Sequence, residues 1–199
     1  MRLRIFSNAG KHGERTMGAI EMSMDLDFTK GVRAANPTLP DAAALPPSEI
    51  GASRPELGGN CIFYVRAGVA RPASADAPIL VVEDDPDTRR LLEKVLALQG
   101  FAVRGAADSR EFQEAIRRPP LPQLILLDVE LPRISGFKLL TALRQHPQTS
   151  AIPVVMVTAR TANKDLLYGL SLGADGYLSK PFTVDGLRSM IDRVLPRRA

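Results

Sequence analysis

From Pro78 onward, short apolar runs alternate with amphipathic stretches, and the alternation repeats five times. ILVVE at 79–83 is followed by a helical pattern from Asp87 to Gln99. Leu91, Leu92, Val95, Leu96 and Leu98 lie on or beside one stripe of it, and Gly100 ends it. FAVRG precedes a helix over Ser109 to Arg117, and QLILLD one over Gly136 to His146. PVVMVT precedes one over Asn163 to Leu172, and GYLS one over Val184 to Leu195. Runs apolar on both faces, separated by amphipathic helices, call for a parallel sheet covered on each side. With right-handed crossovers this predicts an α/β fold, a five-stranded parallel doubly wound sheet of (βα)5 form.

In an open sheet of this kind, ligands bind beyond the carboxyl ends of the strands. Those ends carry Glu83-Asp84-Asp85 after the first run, Asp128 after the third, Thr158 after the fourth and Lys180-Pro181 just past the fifth. Each has an ordinary explanation when taken singly: an acid caps the next helix, a Thr suits a strand, a Lys sits in water. Asp85, just ahead of Pro86, is assigned to capping. Matched polar chemistry at four of the five strand ends is not an accident of that kind.

Were Glu83, Asp84 and Asp128 to meet within ~4 Å, each like-charged pair would cost about 4 kcal/mol at an effective dielectric near 20. Lys180 supplies one counter-charge. The remainder suits Mg2+, a hard cation that takes one or two carboxylates and completes its shell with water and phosphoryl oxygens. Such a site is equipped to receive a phosphoryl group: Asp128 attacks, Lys180 and the cation absorb charge, and Thr158 donates a hydrogen bond.

VVEDD, LLDVELPRISG, VTA and YLSKPF, at these spacings, resemble the receiver domain of two-component response regulators over about residues 78–196. The resemblance implies a flavodoxin-like sheet of order 2-1-3-4-5, with Asp128 phosphorylated by a histidine kinase or a histidine phosphotransfer protein. It implies Mg2+ held by Glu83, Asp84, Asp128 and the backbone carbonyl of Glu130, and a cis peptide between Lys180 and Pro181 that aims the lysine into the site. It also implies a switch in which Thr158 moves toward the phosphoryl group and Tyr177 turns inward. That movement remodels the face made by the fourth helix, fifth strand and fifth helix, and a homodimer through this face is a further expectation. Glu130 and Arg160 flank the mouth of the site, where they are expected to pair and slow loss of the phosphoryl group.

Residues 1–77 have a different texture. Stretches such as AANPTLPDAAALPPSEIGASRPELGG cannot bury enough surface to offset their ordering entropy, so this N-terminal extension reads as largely disordered. CIFYVRAG at 61–68 is the exception, with β-formers able to make a short strand or docking segment. Met17, Met22 and Met24 leave the translation start open.

The net charge of +4 comes from 26 basic and 22 acidic residues that are interspersed, and no helix-turn-helix or zinc-finger pattern accompanies it. Direct nucleic-acid binding and a DNA-binding output domain are therefore not expected, and signalling through protein contacts is. With one cysteine, Cys61, intramolecular disulfides are excluded. No apolar run approaches the ~20 residues of a membrane span, so a cytoplasmic protein is expected. His12 and His146 lack neighbouring ligands, and Leu166, Leu167 and Leu170 read as core of the fourth helix.

Two rival readings are weaker. A phosphatase of haloacid-dehalogenase type also forms an aspartyl phosphate, but it carries Asp where Glu130 stands. A flavin site would need a phosphate-cradling loop after the first strand, where EDDPDTRR instead repels phosphate. The chain is therefore expected to be a signalling domain rather than a turnover enzyme.

Overall fold

The computed structural model describes residues 63–65, 77–159 and 163–195. In chain order the elements are β1 (Phe63–Val65), β2 (Ile79–Val82), α1 (Pro86–Leu98), β3 (Val103–Ala106), α2 (Ser109–Arg117) and β4 (Leu124–Asp128). Then come α3 (Gly136–Gln145), β5 (Val154–Thr158), α4 (Asn163–Ser171), β6 (Gly176–Ser179) and α5 (Val184–Val194). Strands β2 to β6 pair in parallel in the order β3-β2-β4-β5-β6, which is the 2-1-3-4-5 order of a doubly wound sheet. β1 is an addition to the expected five strands: it pairs antiparallel with β6 and makes a sixth, at the edge. It falls inside the 61–68 segment that the sequence marked as strand-forming. The expected disorder of the remainder of residues 1–76 lies outside the described residues.

The period-two alternation of the strands sorts their side chains onto two faces. Leu80, Val82, Ile125, Leu127, Val154, Met156 and Tyr177 pack under α2, α3 and α4, against Phe112, Ile116, Leu139, Leu140, Leu143 and Leu170. Ile79, Val81, Leu124, Leu126, Val155, Val157 and Leu178 pack under α1 and α5, against Leu92, Leu96, Leu187, Met190 and Ile191. The run Leu124–Leu127 is at most 1% exposed because it is the central strand, covered on both sides. At about 1.5–3 kcal/mol for each large apolar side chain buried, such strands are the main source of stability.

Helix ends follow the sequence closely. Asp85 accepts from the Thr88 amide at 2.7 Å, Asp108 from the Arg110 and Glu111 amides, and Thr183 from the Gly186 amide. Gly100, at φ +87°, closes α1: its amide donates to the Ala97 carbonyl and the Phe101 amide to the Leu96 carbonyl.

The structure sorts the apolar residues that the sequence marked on α1 and α4. Leu91 and Leu98 are 47% and 79% exposed, and the buried stripe of α1 is Leu92, Val95 and Leu96. At 100° per residue, Leu91 and Leu98, seven positions apart, fall on the same side of the helix, outside the arc that Leu92, Val95 and Leu96 share. On α4, Leu170 is buried and Leu166, partly buried, packs against the same core, while Leu167 is partly buried without being part of that cluster.

Candidate functional site

Parallel register brings all the polar strand ends to one rim. Val82 stands opposite Leu127, Asp128 opposite Val157, and Thr158 opposite Ser179. Glu83 and Asp84 therefore leave β2 beside Asp128, and Lys180 follows β6 at the same level. Lys180 Nζ donates to Glu83 Oε1 and to Asp128 Oδ2, each at 2.8 Å, and lies 2.7 Å from Glu83 Oε2. The Lys180–Pro181 peptide is cis, and the Lys180 amide donates to the Thr158 carbonyl at 2.8 Å. The other oxygen of Asp128, Oδ1, accepts the Glu130 amide at 3.1 Å. Both carboxylate oxygens of Asp128 are thus oriented by fixed donors.

Carboxylate oxygens of Glu83, Asp84 and Asp128 lie within 4.8 Å of one another. At that separation, two ionised groups as buried as Glu83 and Asp128 repel by about 3.5 kcal/mol at an effective dielectric near 20. The cost appears on Glu83, which is 1% exposed. Burial, aided by the charges of Asp128 and Asp84, raises its pKa from 4.5 to about 7, although the Lys180 hydrogen bond and charge pull the other way. For Lys180, burial disfavours the ammonium, but hydrogen bonds and charge from Asp128 and Glu83 outweigh it, and its pKa is raised. One ammonium facing three acids leaves an excess of negative charge, with Asp84 exposed at the mouth. The donor set is all oxygen, and it fits a hard divalent cation.

The β4–α3 loop forms the wall of this mouth. Asp84 and the residues from Val129 to Ser135 line an open cleft. The Gly136 amide and the Ser135 hydroxyl both donate to the Val129 carbonyl, folding the loop back on itself before Ser135 caps α3. The left-handed residue in this loop is Arg133, at φ +69°. Gly136 is needed where the loop meets α3. A Cβ there would fall against the backbone carbonyl of Asp128 and within 3.1 Å of the Val129 Cα, so glycine is required by close approach and not by a left-handed backbone.

Thr158 is fully buried, and by alternation it shares a sheet face with Tyr177. Tyr177 is 2% exposed and already occupies an inward position. Its ring passes under α4, where a Cβ at Gly169 would lie 3.6 Å from Tyr177 Cε2. Phe137 and Tyr168 stack edge to face nearby, at 5.0 Å between centroids. Glu130 is exposed at the mouth, and Arg160, its expected partner, lies outside the described residues. Among the described residues, no helix is long and apolar enough to cross a membrane.

Sequence reasoning passed over two arginines. Arg89 donates to the Glu83 carbonyl at 2.7 Å and so fixes the backbone that presents Glu83 and Asp84. A cation near a helix N-terminus opposes the macrodipole, and that mismatch was the available signal. Arg144 donates to the carbonyls of Ser150, Ile152 and Gly173 and to Asp175 Oδ2 at 2.7 Å, while the Val154 amide donates to the same oxygen. This clamp ties α3 to the starts of β5 and β6. No local pattern announces it, because its partners are backbone carbonyls from distant segments.

A doubly wound sheet that presents three acids and a lysine at its carboxyl rim defines a class of signalling domain. The family model of the response regulator receiver domain matches residues 79–192, and the chain belongs to that family. Among curated relatives, the chain is similar to the transcriptional regulatory protein GltR of Pseudomonas aeruginosa. Identity is 40% over 119 residues, covering 60% of this chain and 49% of that protein. It is also 38% identical over 123 residues to the phosphate regulon transcriptional regulatory protein PhoB of Rhizobium meliloti, covering 60% of this chain and 52% of that one. The chain spans about half the length of the curated relatives it matches. Among solved structures, the chemotaxis protein CheY4 of Vibrio cholerae superposes with a TM-score of 0.57 at 32% identity, over 61% of this chain and all of that one. A response regulator from Chloroflexus aurantiacus gives 0.55 at 37%, over 61% and 99%.

Proposed function

We propose that this receiver domain accepts a phosphoryl group on Asp128 from a histidine kinase or a histidine phosphotransfer protein and signals through protein contacts. The observation that carries the reading is the bridging of Glu83 and Asp128 by Lys180 at the rim where Asp84 stands open to solvent. A carboxylate oxygen of Asp128 attacks the phosphorus of a phosphohistidine. The new P–O bond forms as the P–N bond breaks, and the imidazole leaves. Lys180, already held at hydrogen-bond distance, offsets negative charge on the transferring group. The Glu130 amide keeps the carboxylate from rotating. Thr158 donates its hydroxyl to the bound phosphoryl group, and Tyr177, on the same sheet face, transmits the change to the surface of α4, β6 and α5.

In this reading Glu83, Asp84, Asp128 and the Glu130 backbone carbonyl would hold Mg2+, which would supply positive charge to offset that of the phosphoryl oxygens. The names of the relatives describe transcriptional regulators, and about half of each is matched; within this chain the receiver model covers residues 79–192. Protein contact at this domain is the output the site supports.

The test is incubation with a small acyl phosphate and Mg2+, followed by intact mass. The wild-type chain is expected to gain one phosphoryl group and Asp128→Asn none. Equal labelling of the two would overturn the assignment.

A further inference from the structure

The two edges of the parallel sheet are built differently. β3, at one edge, carries Arg104, whose guanidinium donates to the carbonyls of Ala115, Arg118 and Pro119. A charged, partly exposed strand of this kind resists pairing with another chain. β6, at the other edge of the parallel set, reads Gly176-Tyr177-Leu178-Ser179, with no charge and no proline, and every residue is buried. Its outer side is taken by β1, with Phe63 opposite Leu178, Tyr64 opposite Tyr177 and Val65 opposite Gly176. β1 also packs beside α5.

The direction of β1 matches its tether. Because it runs antiparallel to β6, its Val65 end lies at the end of the sheet where β2 starts. β1 and β2 are separated by three strands, about 19 Å across four spacings of ~4.8 Å. Residues 66–78 reach roughly 43 Å when extended, at ~3.3 Å per residue, about twice the distance to be spanned. A covalent tether of this length gives the segment an effective concentration on the order of millimolar at the edge. The Phe63 end of β1 lies two residues short of Lys180, at the rim that carries Asp128.

We propose that the outer edge of β6 is a strand-addition site whose resident occupant is this chain's own Phe63–Val65, and that this tethered strand withholds the edge from β6 of a second copy. An uncharged edge without proline is self-complementary. Two bare β6 strands can pair antiparallel about a two-fold axis and join their sheets. β1 prevents this by satisfying the backbone groups first.

The experiment uses the full chain. In Tyr64→Pro/Val65→Pro, adjacent prolines remove one amide facing each way along β1, so a ladder donor is lost whichever of them points at β6. Tyr64→Val keeps both amides and is the control. At micromolar concentration, exchange is followed by NMR at the Gly176 and Leu178 amides, which face β1 by alternation from Asp175, whose amide donates to the Val154 carbonyl of β5. Tyr177, facing β5, and Ile125 and Leu127 report on the intact core. The Gly176 and Leu178 amides are expected to exchange at least tenfold faster in the proline variant, with Tyr177, Ile125 and Leu127 unchanged. Light scattering over rising concentration is expected to show that variant dimerising while the wild type and Tyr64→Val remain monomeric. Equal β6 exchange in all three would overturn occupancy by β1. A proline variant that stays monomeric with a bare edge would overturn the protective role. No phosphodonor is present, so neither result depends on Asp128 being the phosphoacceptor.

Discussion

Replacing Lys180 by Met removes the ammonium and keeps a side chain of similar length, so the effect isolates charge. In the wild type, Glu83 has a folded pKa of about 7 against 4.5 for the free group. The folded state therefore binds its proton more tightly than the unfolded chain. Between pH 4.5 and 7 the native state holds more protons, and stability falls as pH rises, by about 3 kcal/mol across the window at 1.36 kcal/mol per pKa unit. Below pH 4.5 this penalty is absent. Lys180 lowers the Glu83 pKa through its hydrogen bond and its charge, so Lys180→Met raises that pKa further and extends the penalty above pH 7.

At pH 5, with Glu83 protonated in both proteins, the variant loses chiefly the charged hydrogen bond to Asp128, about 2 kcal/mol. At pH 8 it leaves two buried acids without a counter-charge and costs about 3–5 kcal/mol. Urea unfolding of the metal-free proteins at pH 5, 6.5 and 8 gives the difference directly. The cost of the substitution must grow with pH; a pH-independent difference would refute the electrostatic account of the Glu83–Lys180–Asp128 cluster.

Three further outcomes are expected. Arg144→Met removes hydrogen bonds to three carbonyls and leaves Asp175, 8% exposed, without its ion pair. Urea denaturation should show a loss of about 3 kcal/mol, while phosphorylation of Asp128 in the fraction that remains folded is preserved. Gly136→Ala forces the β4–α3 loop off the Asp128 carbonyl. It should lower the unfolding midpoint by an amount corresponding to about 1–3 kcal/mol and slow labelling by a small phosphodonor, whereas Gly100→Ala, far from the site, should cost stability alone. Glu130→Ala keeps the amide that holds Asp128 but removes the carboxylate at the mouth. The half-life of the phosphorylated protein should shorten, and an unchanged half-life would remove Glu130 from any role in its lifetime.

Local pattern was enough for most of the architecture. The βα alternation, the caps at Asp85 and Thr183 and the break at Gly100 are short-range signals, each set by residues within a few positions of one another. The acids and the lysine were legible because a parallel sheet leaves one rim for all strand ends, so knowing the strands was nearly enough to know what meets. Which of Leu91, Leu92, Val95, Leu96 and Leu98 are buried was not legible, because periodicity alone does not say how wide the buried stripe is. The reason for Gly136 was not legible, because a missing Cβ serves a left-handed turn and a close approach equally well, and only coordinates separate them.

The sequence by itself determined which elements form and which side chains arrive at the carboxyl rim, since strand period, helix period and parallel register are properties of local chemistry and chain direction. Tertiary structure alone decided how those groups share charge: that Lys180 spans Glu83 and Asp128, that burial raises Glu83 to about 7, and that Arg144 clamps three distant carbonyls. It also decided that Phe63–Val65 closes the β6 edge. These outcomes depend on desolvation and on contacts between segments far apart in the chain, and neither is set until the whole sheet has closed around them.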